Sequence, residues 1–368
     1  MSMTLIPIEY YTFLYYQVCL ILVLYTLYYT QVNTGREIIS IAETKLWSGI
    51  LCIATILYMG LRPFSGREFV DMVSYGHMFD MVKDMPYQVN ENLEWLFSWI
   101  NWTLAQYIEK ETFFLLCAAV YTGALWWACK RFFKGYYFYA FVICLGSLSF
   151  WAYGVNGIRN GLSTSLLMLA FSFYDRKWVM LSLFVISAGI HQSTLLPIVA
   201  FCLGYLYQNT KVILIGWLVA IPLSLVAGFY FEVFFANLGF DDRLTSYILN
   251  ENLNSTFASS GFRWDFLLYS GIPIYMGYHY IFERGFRDKL YIQLFNTYII
   301  SNAFWILIIR ASFSNRFAYL SWFMIPIILI YPLLKKTIWD RQYAKIGLVI
   351  FFHFLFSYLM FLRDFIYD

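Results

Sequence analysis

Arg159 and His191 are the two side chains in this sequence whose types and positions best suit chemistry. A guanidinium is a permanent cation that binds phosphate or carboxylate through a fork of N–H donors. An imidazole can take up or release a proton near neutral pH. Together they predict a site that binds an anion beside a proton acceptor.

The sequence between these residues predicts a helical hairpin. Apolar residues extend over about 160–174, a charged turn follows at 175–177, and a second apolar run covers about 178–190. At about 1.5 Å per residue, each helix is shorter than the roughly 30 Å hydrocarbon core of a bilayer. We therefore expect Arg159 and His191 at the same membrane face, in a protein-lined cavity below the surface. Charged and titratable groups are costly at that depth, which favours a functional role.

His191 stands in a polar break in the apolar hairpin, within the sequence GIHQSTLLP. Its alternative role is structural, with the imidazole capping a tight turn by hydrogen bonding. The other three histidines lie in no metal-binding pattern, so we expect structural roles for His77, His279 and His353. The sequence has no HExxH motif, paired Cys/His spacing or GxxxxGK[ST] loop. We therefore expect no metal, no cofactor and no NTPase activity.

The composition predicts an all-α polytopic membrane protein. The chain has 368 residues, of which 61% are hydrophobic and only 13% charged, which excludes an ordinary soluble protein. The first apolar run lacks a basic leader and is long enough to remain as an anchor. About twelve spans are expected, at roughly 9–30, 46–60, 111–129, 137–153, 159–174, 178–190, 192–207, 212–235, 264–282, 291–309, 317–334 and 346–362.

The basic residues orient these spans. Fifteen lie in alternate connections that the positive-inside rule assigns to the cytoplasm, and six of those fifteen are arginine. Eight of the ten basic residues on the opposite face are arginine, which suggests an anionic ligand outside. Alternatively, these arginines are helix-end side chains paired with nearby acids. The ten are Arg62, Arg67, Lys83, Lys110, Arg159, Arg243, Arg263, Arg310, Arg316 and Arg363.

Two long connections are predicted outside the membrane, and the whole chain, 1–368, is expected to form one transmembrane domain. Residues 61–110 contain apolar side chains at helical spacing, which predict an interfacial amphipathic helix. Residues 237–263 are polar enough to cap a cavity.

Four stretches resemble the EpsG-like branch of Wzy-type polysaccharide polymerases. GIRNGLSTSLLMLA and ISAGIHQSTLLP are similar to the arginine and H-x-[ST] signatures of that family. Asp71 and Tyr75 match its D-x3-Y motif, and Glu94 leads an aromatic and apolar run as in the family. NRFAYLSWFMIPIIL resembles a further family segment through Arg316 and Tyr319.

The resemblance implies a GT-C-like fold and a glycosyltransferase activity on the outer, periplasmic face of the bacterial cytoplasmic (inner) membrane. Such polymerases build O-antigen, capsule or exopolysaccharide from repeat units carried on undecaprenyl pyrophosphate. The glycan would move to the non-reducing-end hydroxyl of another lipid-linked unit, without a metal and with inversion. The expected partners are this lipid-linked oligosaccharide, the bilayer and a chain-length-regulating co-polymerase, with no nucleic acid.

The resemblance also suggests roles for individual residues. Arg159 would neutralise the leaving pyrophosphate, and His191 would take up or orient the proton of the acceptor hydroxyl. Asp71 is the competing base. The other residues expected to bind pyrophosphate or glycan are Arg310, Arg316, Arg62, Arg67, Arg263, Tyr75, Tyr319 and Glu94.

Two other functions are compatible with the sequence. A lipid-linked oligosaccharide flippase or transporter would share the span count and a basic cavity, and internal pseudo-symmetry would favour it. A membrane O-acyltransferase would use His191 to activate a sugar hydroxyl. That class uses a cytoplasmic donor, whereas the charge pattern places His191 outside.

Overall fold

The structure is a computed structural model that describes residues 6–33, 41–87, 94–237, 261–311 and 314–367. These residues form helices joined by short connections, and none of them lies in a β-strand. The prediction of an all-α protein is therefore confirmed. Most of the outward connection predicted at 237–263 lies outside the described residues.

The helices confirm a multi-pass membrane protein. Among the described residues, five helices are long and apolar enough to cross a membrane, and a bent helix pair brings the number to six. Shorter apolar helices add to these, so the total of about twelve spans stays a prediction. The five long helices are Ile8–Val32, Lys110–Phe133, Thr210–Phe231, Arg316–Lys335 and Gln342–Ile366.

The chain divides into two compact units, of which the first contains Met1–His191 and Ile330–Asp368. Its helices are α1 (Tyr11–Val32), α2 (Ile41–Gly60), α3 (Val70–Met81), α4 (Trp95–Ala105), α5 (Lys110–Phe133), α6 (Tyr137–Leu145), α7 (Leu148–Val155), α8 (Ile158–Ser172) and α9 (Lys177–Ile190), together with the last helix of the chain, α16 (Gln342–Tyr367).

The first unit is built from long helices that pack side by side. α1 and α16 run antiparallel, because Gln31 bonds the Ala344 carbonyl at 3.0 Å while Tyr16 stacks on Phe361 at the other end. α5 and α8 run parallel and end together, where Arg131 donates to the Ser172 carbonyl at 3.2 Å. Arg131 also pairs with Asp175 at 3.1 Å. This places the basic ends of α5 and α8 together, as the charge pattern predicts.

Two features of the first unit differ from straight spans. The run predicted at 137–153 is two helices, α6 and α7, bent by 70°. The bend falls at Gly146, where a side chain would approach Phe354 to 3.1 Å, and at Ser147, whose backbone is extended. Within residues 61–110, α4 buries Phe97 and exposes Trp99, at the place where the sequence predicts an amphipathic helix.

The second unit contains Gln192–Leu329. Its helices are α10 (Leu195–Leu206), α11 (Thr210–Asn237), α12 (Trp264–Tyr278), a π-helix (His279–Glu283), α13 (Lys289–Leu307), α14 (Asn315–Trp322) and the first turn of α15 (Ile325–Lys335). The buried side-chain amide of Asn302 connects four of these helices by hydrogen bonds. Asn302 on α13 accepts from Trp217 on α11 at 2.8 Å, and donates to Ser270 on α12 and Ser321 on α14 at 3.1 and 3.0 Å.

Candidate active site

Four polar side chains converge in the first unit. The Arg159 guanidinium donates from Nη1 to Glu94 Oε2, and the second carboxylate oxygen, Oε1, bonds His191 Nδ1. Arg159 also donates from Nε to the Tyr75 hydroxyl at 3.3 Å. One carboxylate therefore bridges the cation and the imidazole.

The α8–α9 hairpin supplies two of these groups. α8 has 15 residues with Arg159 in its first turn, and α9 has 14 residues and ends at Ile190, immediately before His191. The two helices are joined where the Ser187 hydroxyl donates to the Ser163 carbonyl at 2.8 Å. His191 has extended backbone angles, so the helix stops there and its ring faces the carboxylate. The short hairpin thus brings both ends to one place, as the sequence pattern predicts.

Glu94 and Tyr75 come from the connection between α2 and α5. Glu94 is the residue immediately before α4, and its side chain makes no capping hydrogen bond to that helix. Tyr75 lies in the middle of α3 and is buried. Its ring packs against Phe97 of α4 with centroids 5.9 Å apart. The connection between α2 and α5 therefore supplies the anion and a hydroxyl to the hairpin.

Glycines allow the helices that carry the site to approach closely. At Gly161, a Cβ atom would lie 2.7 Å from the Tyr153 carbonyl oxygen of α7. At Gly189, a Cβ atom would lie 3.0 Å from Cβ of Leu96 in α4. Glycine is needed at the first position because the neighbouring atom is backbone and cannot rotate away. Arg159 is two residues before one glycine, and His191 is two residues after the other.

The cluster is mostly shielded from solvent. The exposed fraction of the side chain is 23% for Arg159, 14% for Glu94 and 12% for His191. The guanidinium carbon also lies 5.8 Å from the ring centroids of both Tyr75 and Phe97. Partial burial lowers the effective dielectric constant, so the charges interact more strongly than they would in water.

The other residues expected in the first unit have different surroundings. Asp71 is half-buried on α3, four residues before Tyr75 and so on the same helix face. Arg67 is a surface residue, with its side chain 94% exposed and 3.9 Å from Glu68.

Arg62 is buried, with 5% exposure, and bonds two helix ends. It donates to the carbonyls of Met59 at 2.7 Å and Val155 at 3.1 Å, at the C-termini of α2 and α7. Its guanidinium lies between the rings of Phe69 and Phe114. Burial lowers the pKa of Arg62 to about 10, so the group stays protonated at neutral pH. Arg62 therefore connects the end of α2 to the end of α7, just before α8.

The remaining expected residues lie in the second unit. Arg263 makes a bidentate ion pair with Asp265, at 2.9 and 2.7 Å. Its guanidinium carbon lies 3.6 Å from the ring centroid of Phe266. Arg310 is exposed just after α13, and Tyr319 packs against Trp322 with centroids 5.4 Å apart. Arg316, in the first turn of α14, is half-buried.

The bridging role of Glu94 is the feature that sequence reasoning missed. Glu94 is 65 residues from Arg159 and 97 residues from His191, so no local spacing connects the three. Its resemblance to a family position gave it a binding role only. Among the described residues, no group of three or more His, Cys, Asp or Glu side chains could hold a metal ion.

The fold and the cluster define a multi-pass helical membrane protein with a cation, a carboxylate and an imidazole at one end of a short helical hairpin. The family model "EpsG family" matches residues 45–367, which is most of the chain and includes the whole cluster. The chain therefore belongs to the EpsG family, the EpsG/Wzy-type polysaccharide polymerases. This membership supports a membrane polysaccharide polymerase of glycosyltransferase type. Comparison with curated proteins gives no match, and comparison with solved structures gives none either.

Proposed function

We propose that the protein transfers a glycan from its undecaprenyl-pyrophosphate carrier to the non-reducing-end hydroxyl of another lipid-linked repeat unit. The reaction takes place at the outer face of the bacterial cytoplasmic membrane. The observation that carries the proposal is the arrangement of Arg159 and His191 on the two oxygens of one carboxylate. Membership of the polymerase family supports it.

Arg159 acts on the donor. When the bond between the anomeric carbon and the pyrophosphate oxygen breaks, the electron pair leaves with the pyrophosphate. A guanidinium in a partly buried site stabilises that growing negative charge, and it does so most strongly in the transition state. In this proposal Arg159 supplies the positive charge, so no step requires a metal ion.

His191 acts on the acceptor. An ionised carboxylate only accepts hydrogen bonds, so the imidazole donates to Glu94 from Nδ1 and carries its lone pair on Nε2. Nε2 takes up the proton of the acceptor hydroxyl as that oxygen bonds the anomeric carbon. Attack from the face opposite the pyrophosphate inverts the anomeric configuration. The contact between His191 and Glu94 favours the imidazole over Asp71 as the base.

The product and partners follow from this direction of transfer. The lengthened glycan ends on the acceptor's lipid carrier, and the donor's carrier leaves as undecaprenyl pyrophosphate. The arginine-rich outward residues of the second unit, Arg263, Arg310 and Arg316, are proposed to bind the anionic or glycan parts of the two substrates. A co-polymerase that sets chain length is the proposed protein partner.

The test is a polymerisation assay with purified full-length protein and its host's lipid-pyrophosphate repeat unit, with no nucleotide and excess chelator. A glycan ladder on a gel is the expected result. If the lipid-linked unit is bound but stays intact, the protein is a transporter or flippase and the proposal fails.

Variants of the same protein separate chemistry from folding. Arg159→Ala and His191→Ala are expected to abolish the ladder while membrane insertion and yield stay normal. The matched control is His279→Ala, because His279 also bonds a glutamate through Nδ1, four residues along its own helical segment. That variant is expected to keep the ladder. A normal ladder from Arg159→Ala at normal yield would contradict the role of that residue.

A further inference from the structure

The Glu94 carboxylate accepts a hydrogen bond from Nη1 of Arg159, one of the donors that a phosphate would use. We propose that Glu94 is a displaceable internal anion: pyrophosphate takes its place on Arg159, while Glu94 keeps its contact with His191. This inference rests on the proposed function, in which Arg159 binds the donor's pyrophosphate.

Glu94 and pyrophosphate compete for Arg159. Guanidinium binds carboxylate and phosphate through the same donors, and here Nη1 is given to Glu94 while Nε is given to Tyr75 at 3.3 Å. The rings of Tyr75 and Phe97 lie beside the guanidinium, each with its centroid 5.8 Å away, and limit the room around it. A pyrophosphate that reaches Arg159 therefore meets a carboxylate already bound there.

The Glu94 carboxylate and the pyrophosphate are both negatively charged and repel each other. Glu94 is only 14% exposed, so water screens it poorly from a second anion. A pyrophosphate beside the bridging carboxylate would be repelled while both contact the same cation. The repulsion is relieved when the carboxylate releases Arg159.

Helix packing determines which contact Glu94 keeps. The start of α4 packs directly on the end of α9, because a Cβ atom at Gly189 would lie 3.0 Å from Leu96 Cβ and 3.5 Å from the Trp95 ring. Glu94 immediately precedes α4, and His191 immediately follows α9. This packing holds Glu94 beside His191, whereas Arg159 lies on α8. The contact to Arg159 is therefore the one that is released.

The exchange connects donor binding to proton transfer. While the carboxylate is shared with Arg159, part of its charge is neutralised by the guanidinium. Once released, its full charge faces His191 and stabilises the imidazolium that forms when the acceptor's proton is taken up. Proton transfer to His191 is thus favoured only after the donor's pyrophosphate has arrived.

The test uses inorganic pyrophosphate as the probe and purified full-length protein in nanodiscs, with binding measured by calorimetry. Glu94→Gln keeps the side-chain shape and removes the charge. We expect this variant to bind pyrophosphate at least tenfold more tightly than the native protein while it makes under 1% of the native glycan. When Arg159→Gln is combined with Glu94→Gln, we expect no gain in affinity for pyrophosphate. Glu283→Gln is the matched control, since Glu283 also bonds a histidine, and it is expected to bind as the native protein does.

A spectroscopic measurement adds an independent result. With ¹⁵N-labelled histidine, pyrophosphate is expected to shift the His191 ring signals in the native protein, assigned by loss in His191→Gln. The shift is expected to be absent in Glu94→Gln. A merely structural role of Glu94 predicts weaker binding and no such pattern.

The outcomes separate this inference from the proposed function. If Arg159→Gln loses pyrophosphate binding but Glu94→Gln binds no more tightly than native protein, displacement is wrong and the assignment of Arg159 stands. If Arg159→Gln binds pyrophosphate as well as the native protein, both the displacement of Glu94 and the assignment of Arg159 are wrong. Absence of binding by all the proteins also overturns both.

Discussion

Gly161→Ala adds one methyl group to α8 at the point where this helix touches α7, two residues after Arg159. The new Cβ atom would lie 2.7 Å from the carbonyl oxygen of Tyr153 and 3.2 Å from its carbonyl carbon. Ordinary contacts of a Cβ atom begin at 3.4 Å, so α8 must move away by about 0.7 Å. The obstacle is backbone, and a change of side-chain rotamer cannot relieve it.

This displacement sets the expected effect. The Arg159 donors that bond Glu94 and Tyr75 move with the first turn of α8. A misplacement of about 1 Å in a catalytic group can cost about 100-fold in rate. We therefore expect Gly161→Ala to lower the polymerisation rate by about 10- to 100-fold. Overpacking of this kind also destabilises a fold by about 1–3 kcal/mol, so the thermal midpoint should fall.

The assay compares initial rates of ladder formation at equal amounts of folded protein, judged by size-exclusion chromatography in detergent. Gly123→Ala is the matched control, because a Cβ atom at Gly123 of α5 would meet nothing within 4 Å. It is expected to keep the native rate, and its thermal midpoint should not fall, because alanine is more stable than glycine inside a helix. Native activity in Gly161→Ala would refute the reasoning that the α7–α8 contact positions Arg159.

Three further changes have defined outcomes. Tyr75→Phe removes the hydroxyl that accepts from Arg159 at 3.3 Å but keeps the ring; a hydrogen bond to a charged group contributes about 1.5–3 kcal/mol, so the polymerisation rate should fall about 10- to 150-fold, and an unchanged rate would show that this contact does not position Arg159. Arg62→Lys replaces two guanidinium nitrogens, each bonded to its own buried carbonyl, by one ammonium nitrogen on a shorter side chain, so the thermal midpoint in detergent should fall by an amount equivalent to about 1–3 kcal/mol, and an unchanged midpoint would contradict the anchoring role. Asp71→Asn should keep at least a tenth of the native rate if His191 is the base, and complete loss of the ladder at normal yield would favour Asp71 instead.

The short helical hairpin was predictable because its signals are local. Two apolar runs that are each too short to cross the bilayer, separated by a charged turn at 175–177, indicate a chain that returns to the face it left. The contacts of Arg159 and His191 with one carboxylate agree with that geometry. The bend at Gly146 was not predictable in this way, because hydropathy reports how apolar a segment is and not whether it is straight.

The surroundings of Arg62 show what the structure adds to sequence reasoning. Its position in an outward, arginine-rich connection suggested an anion-binding role. In the structure it is buried and donates hydrogen bonds to the carbonyls of Met59 and Val155, at the C-terminal ends of two helices. A guanidinium has the same charge in either role, and only the groups packed around it distinguish an anchor from a ligand-binding residue.

The sequence by itself determined the class of protein, the helical hairpin and the family, because composition, apolar periodicity and short motifs are properties of neighbouring residues. Only the tertiary structure decided that Glu94 joins Arg159 to His191, since these residues are 65 and 97 positions apart. Their contact depends on how α3, α4, α8 and α9 pack. That packing is set by close approaches such as those at Gly161 and Gly189, which no spacing along the chain reveals.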